Sequence, residues 1–346
     1  MELTKTVYGI YEGKDVHEYT LTNSKGVSMS AIPFGATLTK LVTPDKDGKK
    51  ENITLNVKSL EDFVRHRPFY GATIGRVAGR ITKGKYSLGG KEIQLDVNEG
   101  NNLLHGGSKG LDTKLWDIEA NEVEGRLNFN YESPAGENGF PGTMQINVTY
   151  TLTEENEWVI DYKATTDETT LFNPTNHVYF NLTGDIKKPI LNHELELASR
   201  YYVPLAEENL PDGDLESVKG TPFDFTTIKP VREAVLSDHP QIKPLKGLDH
   251  PFVLDEDEDI KGILFDPESK REVKFYTDRN SVVVFTHNGE VDDYTIDGEP
   301  AKQYAGITLE TQTLPDAINQ PNFGNIILRP DETFQSQTTY KFGVRK

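Results

Sequence analysis

Cysteine is absent from the 346-residue sequence, which also holds only three methionines and two tryptophans. Without a thiol the chain forms no disulfide, no thiolate zinc site and no cysteine nucleophile. Long apolar runs are missing as well, because none approaches the roughly 18 residues that a membrane span requires. The opening stretch, MELTKTVYGIYEGKDVHEYT, contains no apolar core of an export signal. We therefore expect a cytoplasmic protein with no membrane segment.

Basic residues are scarce relative to acidic ones. The 37 lysines and arginines face 55 aspartates and glutamates, which gives a formal net charge of -18. A field of this sign repels phosphate backbones and anionic lipid surfaces, so nucleic acid and membranes are poor partners. Neutral or cationic ligands are the favoured class. A monomer and a homodimer are both compatible with the composition.

The signatures of nucleotide, metal and serine-hydrolase sites are also absent from the sequence. The stretches GRVAGR and HGGSKG match neither GxxxxGK[ST] nor GxGxxG between a strand and a helix. No HExxH spacing occurs among the eight scattered histidines, and no GxSxG elbow is present. We therefore predict no cofactor and no bound metal. Histidine and carboxylate side chains remain, and these suit proton transfer to and from a neutral molecule.

Alternation of apolar and polar residues with a period of two dominates the chain and predicts an all-β protein. It is clearest in residues 146–152 and 158–164, which the turn EENE joins into an antiparallel hairpin. A second hairpin is predicted from REVKFYT (271–277) into SVVVFT (281–286).

Helical signals are few. Ser59 followed by two acidic residues predicts a short capped helix that ends near Arg65. No linker, internal repeat or strand–helix alternation is visible. The sequence therefore predicts a single large antiparallel β-sandwich domain over residues 1–346.

The stretch 173–184, NPTNHVYFNLTG, places His177 after an Asn-Pro turn and before a buried, aromatic-rich run. Burial and packing of this kind tune the pKa of a catalytic acid and fix its direction. A histidine at the edge of an apolar strand is also common as a hydrogen-bonded core residue. The stretch alone leaves both interpretations open.

Four further polar residues stand in comparable settings. His105 precedes two glycines in NNLLHGG, Asp249 lies in GLDHPFVL, Glu310 lies in GITLETQT and Arg80 follows GRVAG. Each also has a plain structural explanation: a tight turn, an Asx turn, a solvent-facing strand position and a core-edge ion pair, respectively.

Five motifs occur in one order along the chain: NNLLHGG, ENGFPG, NPTNHVYFNLTG, GLDHPF and GITLET. In that order they resemble the aldose 1-epimerase (galactose mutarotase) family. The resemblance implies that family's elaborate antiparallel β-sandwich, the galactose mutarotase-like supersandwich, with the sugar on its broad concave face. It also implies an isomerase that interconverts the α and β anomers of aldohexoses such as D-galactose and D-glucose.

By this resemblance Glu310 matches the catalytic base, His177 the catalytic acid and His105 a second active-site histidine. Arg80 and Asp249 match groups that hold sugar hydroxyls. The chemistry agrees with these residue types, because ring opening removes a proton from the C1 hydroxyl and adds one to O5. Ionised Glu310 and protonated His177 would serve, and reclosure reverses their roles. Both pKa values are therefore expected near the working pH.

Two positions depart from the family pattern. Gly79 stands where many members have asparagine before the matched arginine, and Val283 lies near a position where some have glutamine. Both changes remove side-chain hydrogen bonds to the sugar, so the preferred sugar stays open.

Four other functions are compatible with parts of the sequence. A hexose-6-phosphate epimerase needs basic groups at the pocket rim, for which Arg65, Arg67 and Arg76 are candidates. A disaccharide epimerase differs only in a rim that the sequence does not define. A non-catalytic carbohydrate-binding module needs no acid–base pair, and a glycosidase needs two opposed carboxylates, for which only Glu310 and Asp249 compete.

Overall fold

Antiparallel β-strands form most of the regular structure in the computed structural model, which describes residues 1–289 and 291–346. In chain order the first strands are β1 (Glu2–Tyr11), β2 (Lys14–Thr22), β3 (Ser28–Ile32), β4 (Thr37–Pro44), β5 (Lys50–Asn52), β6 (Thr73–Ile74), β7 (Arg80–Ile81), β8 (Lys85–Leu88), β9 (Lys91–Gln94), β10 (Leu103–Leu104), β11 (Asp117–Asn121), β12 (Arg126–Ser133), β13 (Met144–Leu152), β14 (Glu157–Thr166), β15 (Thr170–Leu171), β16 (Thr175–Asn176) and β17 (Tyr179–Phe180). The later strands are β18 (Glu194–Leu197), β19 (Tyr201–Tyr202), β20 (Glu216–Ser217), β21 (Lys229–Pro230), β22 (Asp249–Val253), β23 (Gly262–Phe265), β24 (Arg271–Thr277), β25 (Ser281–Phe285), β26 (Val291–Ile296), β27 (Glu299–Ala301), β28 (Ile307–Thr308), β29 (Glu310–Gln312), β30 (Ile327–Leu328) and β31 (Phe334–Val344).

Helices are few and short, which confirms the all-β prediction. The described residues form α1 (Leu60–His66) and α2 (Arg232–Val235), with 3-10 turns at Thr82–Gly84, Leu111–Thr113, Glu137–Gly139, Ile190–Asn192 and Glu207–Asn209. Helix α1 begins where the sequence predicts, because the Ser59 side chain accepts a hydrogen bond from the Asp62 amide. No helix formed by the described residues is long and apolar enough to cross a bilayer.

Three large sheets organise these strands. The first has the order β1-β2-β3-β4-β5, and the second, the nine-stranded sheet, has the order β11-β12-β13-β14-β31-β24-β23-β18-β21. The third has the order β20-β19-β22-β25-β29, and we call it the cavity sheet. Two-stranded ribbons complete the pairing: β6-β16, β7-β10, β8-β9, β15-β30, β17-β28 and β26-β27.

One apolar core joins the three sheets. Its members include Met29 from the first sheet, Trp158 and Tyr340 from the nine-stranded sheet, and Phe252 and Val284 from the cavity sheet. Strand β13 alternates between buried and less buried positions along its length, as the sequence pattern predicts for a sheet with one face on a core. The sheets therefore pack face to face as a sandwich.

One of the two predicted hairpins is wrong. Strands β13 and β14 pair from Met144↔Thr166 to Leu152↔Trp158, which confirms the first. Strands β24 and β25, however, pair with other partners and lie in different sheets. The connection 278–280 crosses between those sheets, and Arg279 anchors it by donating to Asn173 Oδ1 at 2.7 Å. Local alternation did not reveal this, because both strands bury apolar faces in one core.

The cavity sheet presents alternate residues to its outer face, and this periodicity builds one wall of a cavity. Asp249 and Pro251 on β22, Val283 and Phe285 on β25, and Glu310 and Gln312 on β29 all line the cavity. The intervening residues, such as Val282 and Val284, face the core. The strand register places Val283 opposite Glu310, so neighbouring strands contribute side chains at the same level.

Candidate active site

A single cavity of about 200 Å³ collects every residue that the sequence predicts for the site. Glu310, His177, His105, Arg80 and Asp249 all line it. They come from five separate segments of the chain, so their convergence is a property of the fold rather than of local sequence. Three aromatic residues, Phe69, Tyr179 and Phe285, contribute apolar walls.

Glu310 opens β29 and is only 3 % exposed, so the solvent-facing alternative for this position is excluded. Its Oε1 accepts a hydrogen bond from the Thr308 hydroxyl at 3.2 Å. The Thr308 hydroxyl itself accepts from the Phe285 amide at 3.0 Å, which fixes its direction. One carboxyl oxygen is thereby oriented by the sheet.

His177 lies between β16 and β17, and two main-chain hydrogen bonds hold its backbone. Its amide donates to the Ala72 carbonyl at 2.9 Å, and its carbonyl accepts from the Gly71 amide at 3.0 Å. The ring stacks on Phe69 with a centroid separation of 5.7 Å. The predicted buried run after His177 is present, although only Tyr179–Phe180 forms a strand. Nε2 of the imidazole lies 3.5 Å from Glu310 Oε1.

Burial displaces the pKa values of this pair in opposite directions. Burial, reinforced by the negative charge of Asp249, raises the pKa of Glu310 to about 8. Burial lowers the pKa of His177 to about 4. The contact between them is an ion pair only when His177 carries the proton, so at neutral pH the free protein favours a neutral carboxyl beside a neutral imidazole. Ionised Glu310 beside protonated His177, the state predicted from the sequence, holds the same single proton but is the less populated of the two protonation states.

His105 adopts a left-handed backbone conformation with φ of 49°, uncommon outside glycine. Its amide donates to the Gly79 carbonyl at 3.0 Å, and its Nδ1 accepts from the Gly79 amide at 3.2 Å. Because Nδ1 accepts, the neutral ring carries its proton on Nε2. Burial lowers the pKa of His105 well below its usual value, and the proximity of His177, Arg80 and Arg67 lowers it further. His105 is therefore a neutral donor.

The proton on Nε2 of His105 disfavours the binding of a metal ion at this site. Ligand atoms of His105, His177 and Glu310 lie within 4.8 Å of one another, a spacing that can admit an ion. A metal ligand must offer a lone pair, and His105 has none free once Nδ1 accepts and Nε2 is protonated. The donor set fits sugar hydroxyls better than a cation.

Arg80 lies on β7 and forms an ion pair with Glu99, a partner that the sequence did not identify. Its Nε and Nη2 donate to the two carboxyl oxygens of Glu99 at 2.6 and 2.8 Å. Burial works to lower the pKa of Arg80, but the hydrogen bond to Glu99 and the charges of Asp249 and Glu310 raise it overall. This fork uses two of the five N–H donors of the guanidinium, which leaves one on Nη2 and two on Nη1 outside it.

Asp249 begins β22 rather than forming an Asx turn. Burial raises the pKa of its carboxyl, although the positive charge of Arg80 opposes that shift. Nothing in the sequence near residue 99 signals the pairing with Arg80, since Glu99 lies 19 positions after it along the chain.

The three arginines considered for phosphate binding do not line the cavity among the described residues. Arg76 is buried and donates to main-chain carbonyls, including that of Ser133 at 2.9 Å. Arg67 pairs with Asp112 at 2.6 Å. Both are therefore structural. Arg65 is exposed on α1.

The protein-family model for aldose 1-epimerase matches residues 17–341 of this chain. The chain belongs to the aldose 1-epimerase family. Galactose mutarotase from Rattus norvegicus is 37% identical over 350 residues, which cover 99% of each chain. Aldose 1-epimerase from Escherichia coli (strain K12) is 34% identical over 336 residues, which cover 96% of each chain. The crystal structure of galactose 1-epimerase from Lactobacillus acidophilus NCFM matches with a TM-score of 0.89 at 33% identity, covering 100% of this chain and 99% of that one.

Membership in the aldose 1-epimerase family makes this chain a carbohydrate isomerase and confirms the family resemblance of the five ordered motifs. The similarity to the solved aldose 1-epimerase structures confirms the galactose mutarotase fold.

Proposed function

We propose that this protein interconverts the α and β anomers of free aldohexoses such as D-galactose and D-glucose, with Glu310 as base and His177 as acid. The observation that carries the proposal is the 3.5 Å approach of Glu310 Oε1 to His177 Nε2 inside the cavity that Arg80, His105 and Asp249 also line. A proton donor and a proton acceptor at this separation can reach two neighbouring oxygens of one sugar ring.

Ring opening follows from these groups. Glu310 takes the proton of the C1 hydroxyl, the C1–O5 bond breaks with its electron pair going to O5, and His177 Nε2–H protonates O5. The product is the open-chain aldehyde, with a neutral carboxyl and a neutral imidazole beside it. After rotation about C1–C2 the same steps run in reverse and close the ring on the other face of the aldehyde.

The protonation favoured in the free protein is the one that accompanies the open-chain sugar. Burial keeps the proton on Glu310, whose pKa is about 8, rather than on His177, whose pKa is about 4. To open a closed ring the proton must first lie on His177. A single proton shared by the pair therefore serves both directions of the reaction.

The other polar groups orient the sugar. Arg80, held by Glu99, and Asp249 provide a donor and an acceptor for hydroxyls, and His105 provides an Nε2–H donor. Orientation of this kind adds to the roughly 10²–10⁴-fold that acid–base catalysis typically supplies. Because Arg67 and Arg76 are engaged in structural contacts, the cavity favours an uncharged hexose over a hexose phosphate.

Three further predictions from the sequence accompany this proposal. We propose that residues 1–346 form one domain, supported by a core whose members run from Leu21 to Phe342. A cytoplasmic location and a monomeric or dimeric state stay predictions, which fractionation and light scattering can address.

Polarimetry of freshly dissolved α-D-galactose and α-D-glucose tests the proposal, with the spontaneous rate subtracted. We expect acceleration by the wild type and its loss in Glu310→Gln, with the exposed Glu119→Gln as matched control. Acceleration retained in Glu310→Gln would remove that carboxyl from the mechanism. No acceleration of either sugar would reject the aldohexose assignment, and disaccharides and hexose phosphates would then be tested.

A further inference from the structure

Gln312 lines the cavity, and both polar atoms of its side chain lack a hydrogen-bond partner within the described part of the chain. Its side chain is 1 % exposed, and both carboxamide atoms, Nε2 and Oε1, are buried with no hydrogen-bond partner among the described residues. A buried amide that makes no hydrogen bond is unfavourable, because it has lost its water without gaining a replacement. Such a group is rare in a native protein and needs a reason.

The strand places this carboxamide on the substrate side of the sheet. Gln312 lies two residues after Glu310, so the two side chains share the cavity face of β29, while Thr311 points to the core and hydrogen-bonds Thr338. The Ser281 hydroxyl donates to the Gln312 carbonyl at 2.6 Å and fixes the backbone.

Gly79 keeps the approach to the carboxamide clear. A Cβ atom on Gly79 would lie 3.5 Å from Gln312 Oε1 and 3.0 Å from Pro315 Cβ, and all three residues line the cavity. Any side chain at position 79 would therefore extend beside the amide of Gln312. With glycine there, the amide is the polar group that this wall offers next to Arg80.

We propose that Gln312 is a substrate-binding residue that hydrogen-bonds sugar hydroxyls through both halves of its carboxamide. The Nε2 group donates and Oε1 accepts, so the amide complements a pair of neighbouring hydroxyls, each of which can donate or accept. This proposal rests on the proposed function only in taking an aldohexose as the ligand. Gln312 takes no part in proton transfer and acts on affinity and on the choice between sugars.

The test is Gln312→Met, which keeps the approximate volume and removes both hydrogen-bonding groups. The matched control is Gln335→Met on the exposed face of β31. We expect the KM for galactose to rise roughly tenfold in Gln312→Met with kcat little changed. We expect its Tm without sugar to be equal to or above that of the wild type, because the amide has no partner to lose. A purely structural role predicts the reverse, a lower Tm with an unchanged KM, and that result would overturn the proposal.

Deoxy sugars identify the hydroxyls concerned. A sugar that lacks a hydroxyl contacted by Gln312 should bind the wild type more weakly than galactose does, but should bind Gln312→Met about as well as galactose does. A sugar that lacks any other hydroxyl should lose the same affinity for both proteins. Equal effects of every deoxygenation on the two proteins would overturn the proposal. If the methionine variant does not fold, Gln312→Glu retains the shape and one acceptor, and the same comparison applies.

Sugar binding is also followed by the rise in Tm that galactose produces, which requires no turnover. If the wild type binds galactose but does not accelerate mutarotation, the proposed function is rejected. The comparison of galactose binding by the wild type and Gln312→Met would still test the role of Gln312. A Tm shift of the same size in the wild type and Gln312→Met would reject the role of Gln312 alone.

Discussion

Glu310 Oε1 lies 3.5 Å from His177 Nε2, and burial moves the pKa values of the two groups apart, to about 8 and about 4. Between those values the pair holds one proton in total. It is therefore an acid and a base at once over the whole interval, whichever residue carries the proton.

The pH dependence of kcat/KM reports that single proton. Below about pH 4 both groups are protonated and no base remains, and above about pH 8 both are deprotonated and no acid remains. We expect kcat/KM for α-D-galactose to be level from pH 5 to about 8 and to fall above it, as measured by polarimetry with subtraction of the spontaneous rate. A rate that instead rises through pH 8 would show that Glu310 works as a base with a different acid.

Replacing His177 by asparagine removes the acid while keeping a polar side chain of smaller size. We expect kcat to fall by roughly 10²–10⁴-fold, since protonation of O5 loses its donor, with a smaller change in KM. His17→Asn, on β2 and outside the cavity, is the control. Turnover within tenfold of wild type in His177→Asn would assign the acid elsewhere, and His105 would be examined next.

The raised pKa of Glu310 makes stability depend on pH with a definite sign. The folded protein keeps this carboxyl protonated up to about pH 8, while the unfolded chain ionises it near pH 4.5, the ordinary pKa of a glutamate. The contribution of Glu310 is thus present below pH 4.5 and is lost as the pH rises to 8. Relative to Glu310→Gln, the free energy of unfolding of the wild type should fall by on the order of 3 kcal/mol between pH 5 and pH 8.

Urea unfolding of both proteins at several pH values measures that difference. Glu119 is exposed, so the difference in unfolding free energy between the wild type and Glu119→Gln should show no comparable change with pH. A difference between wild type and Glu310→Gln that stays constant with pH would mean that the carboxyl is not protonated in the folded state.

Glu99 acts on the sugar through Arg80, so it is a positioning residue. Glu99→Gln keeps one acceptor but loses the charge and the two-point fork, which frees the guanidinium to rotate. We expect a roughly three- to thirtyfold rise in KM with a smaller change in kcat. Glu92→Gln, which breaks an exposed pair with Lys85, is the control. If Glu99 served only stability, Tm would fall in the variant and KM would not change.

Much of the fold follows from short-range sequence pattern. Period-two alternation predicts β13, β14 and β24 of the nine-stranded sheet and the β13–β14 hairpin, because an antiparallel strand with one face on the core must alternate. The same pattern failed for β24 and β25. Strand β24 pairs with β23 and β31, and β25 pairs with β22 and β29. No local signal distinguishes a tight turn after β24 from a crossing between sheets.

The candidate active site was likewise predicted in part from the sequence. The order of the motifs indicates His105, His177, Asp249 and Glu310, and the spacing of two residues puts Gln312 on the same face as Glu310. The sequence gives no sign of Glu99, because its role depends on a contact with Arg80 across 19 positions.

By itself, the sequence determined the fold class, the family and the residue types available for proton transfer, since these depend on composition, periodicity and motif order. Only the tertiary structure decided which of them meet and in which protonation state. Burial of Glu310 and His177 in one cavity removes water from both, and that desolvation, rather than the identity of either residue, places the shared proton on Glu310 in the free protein.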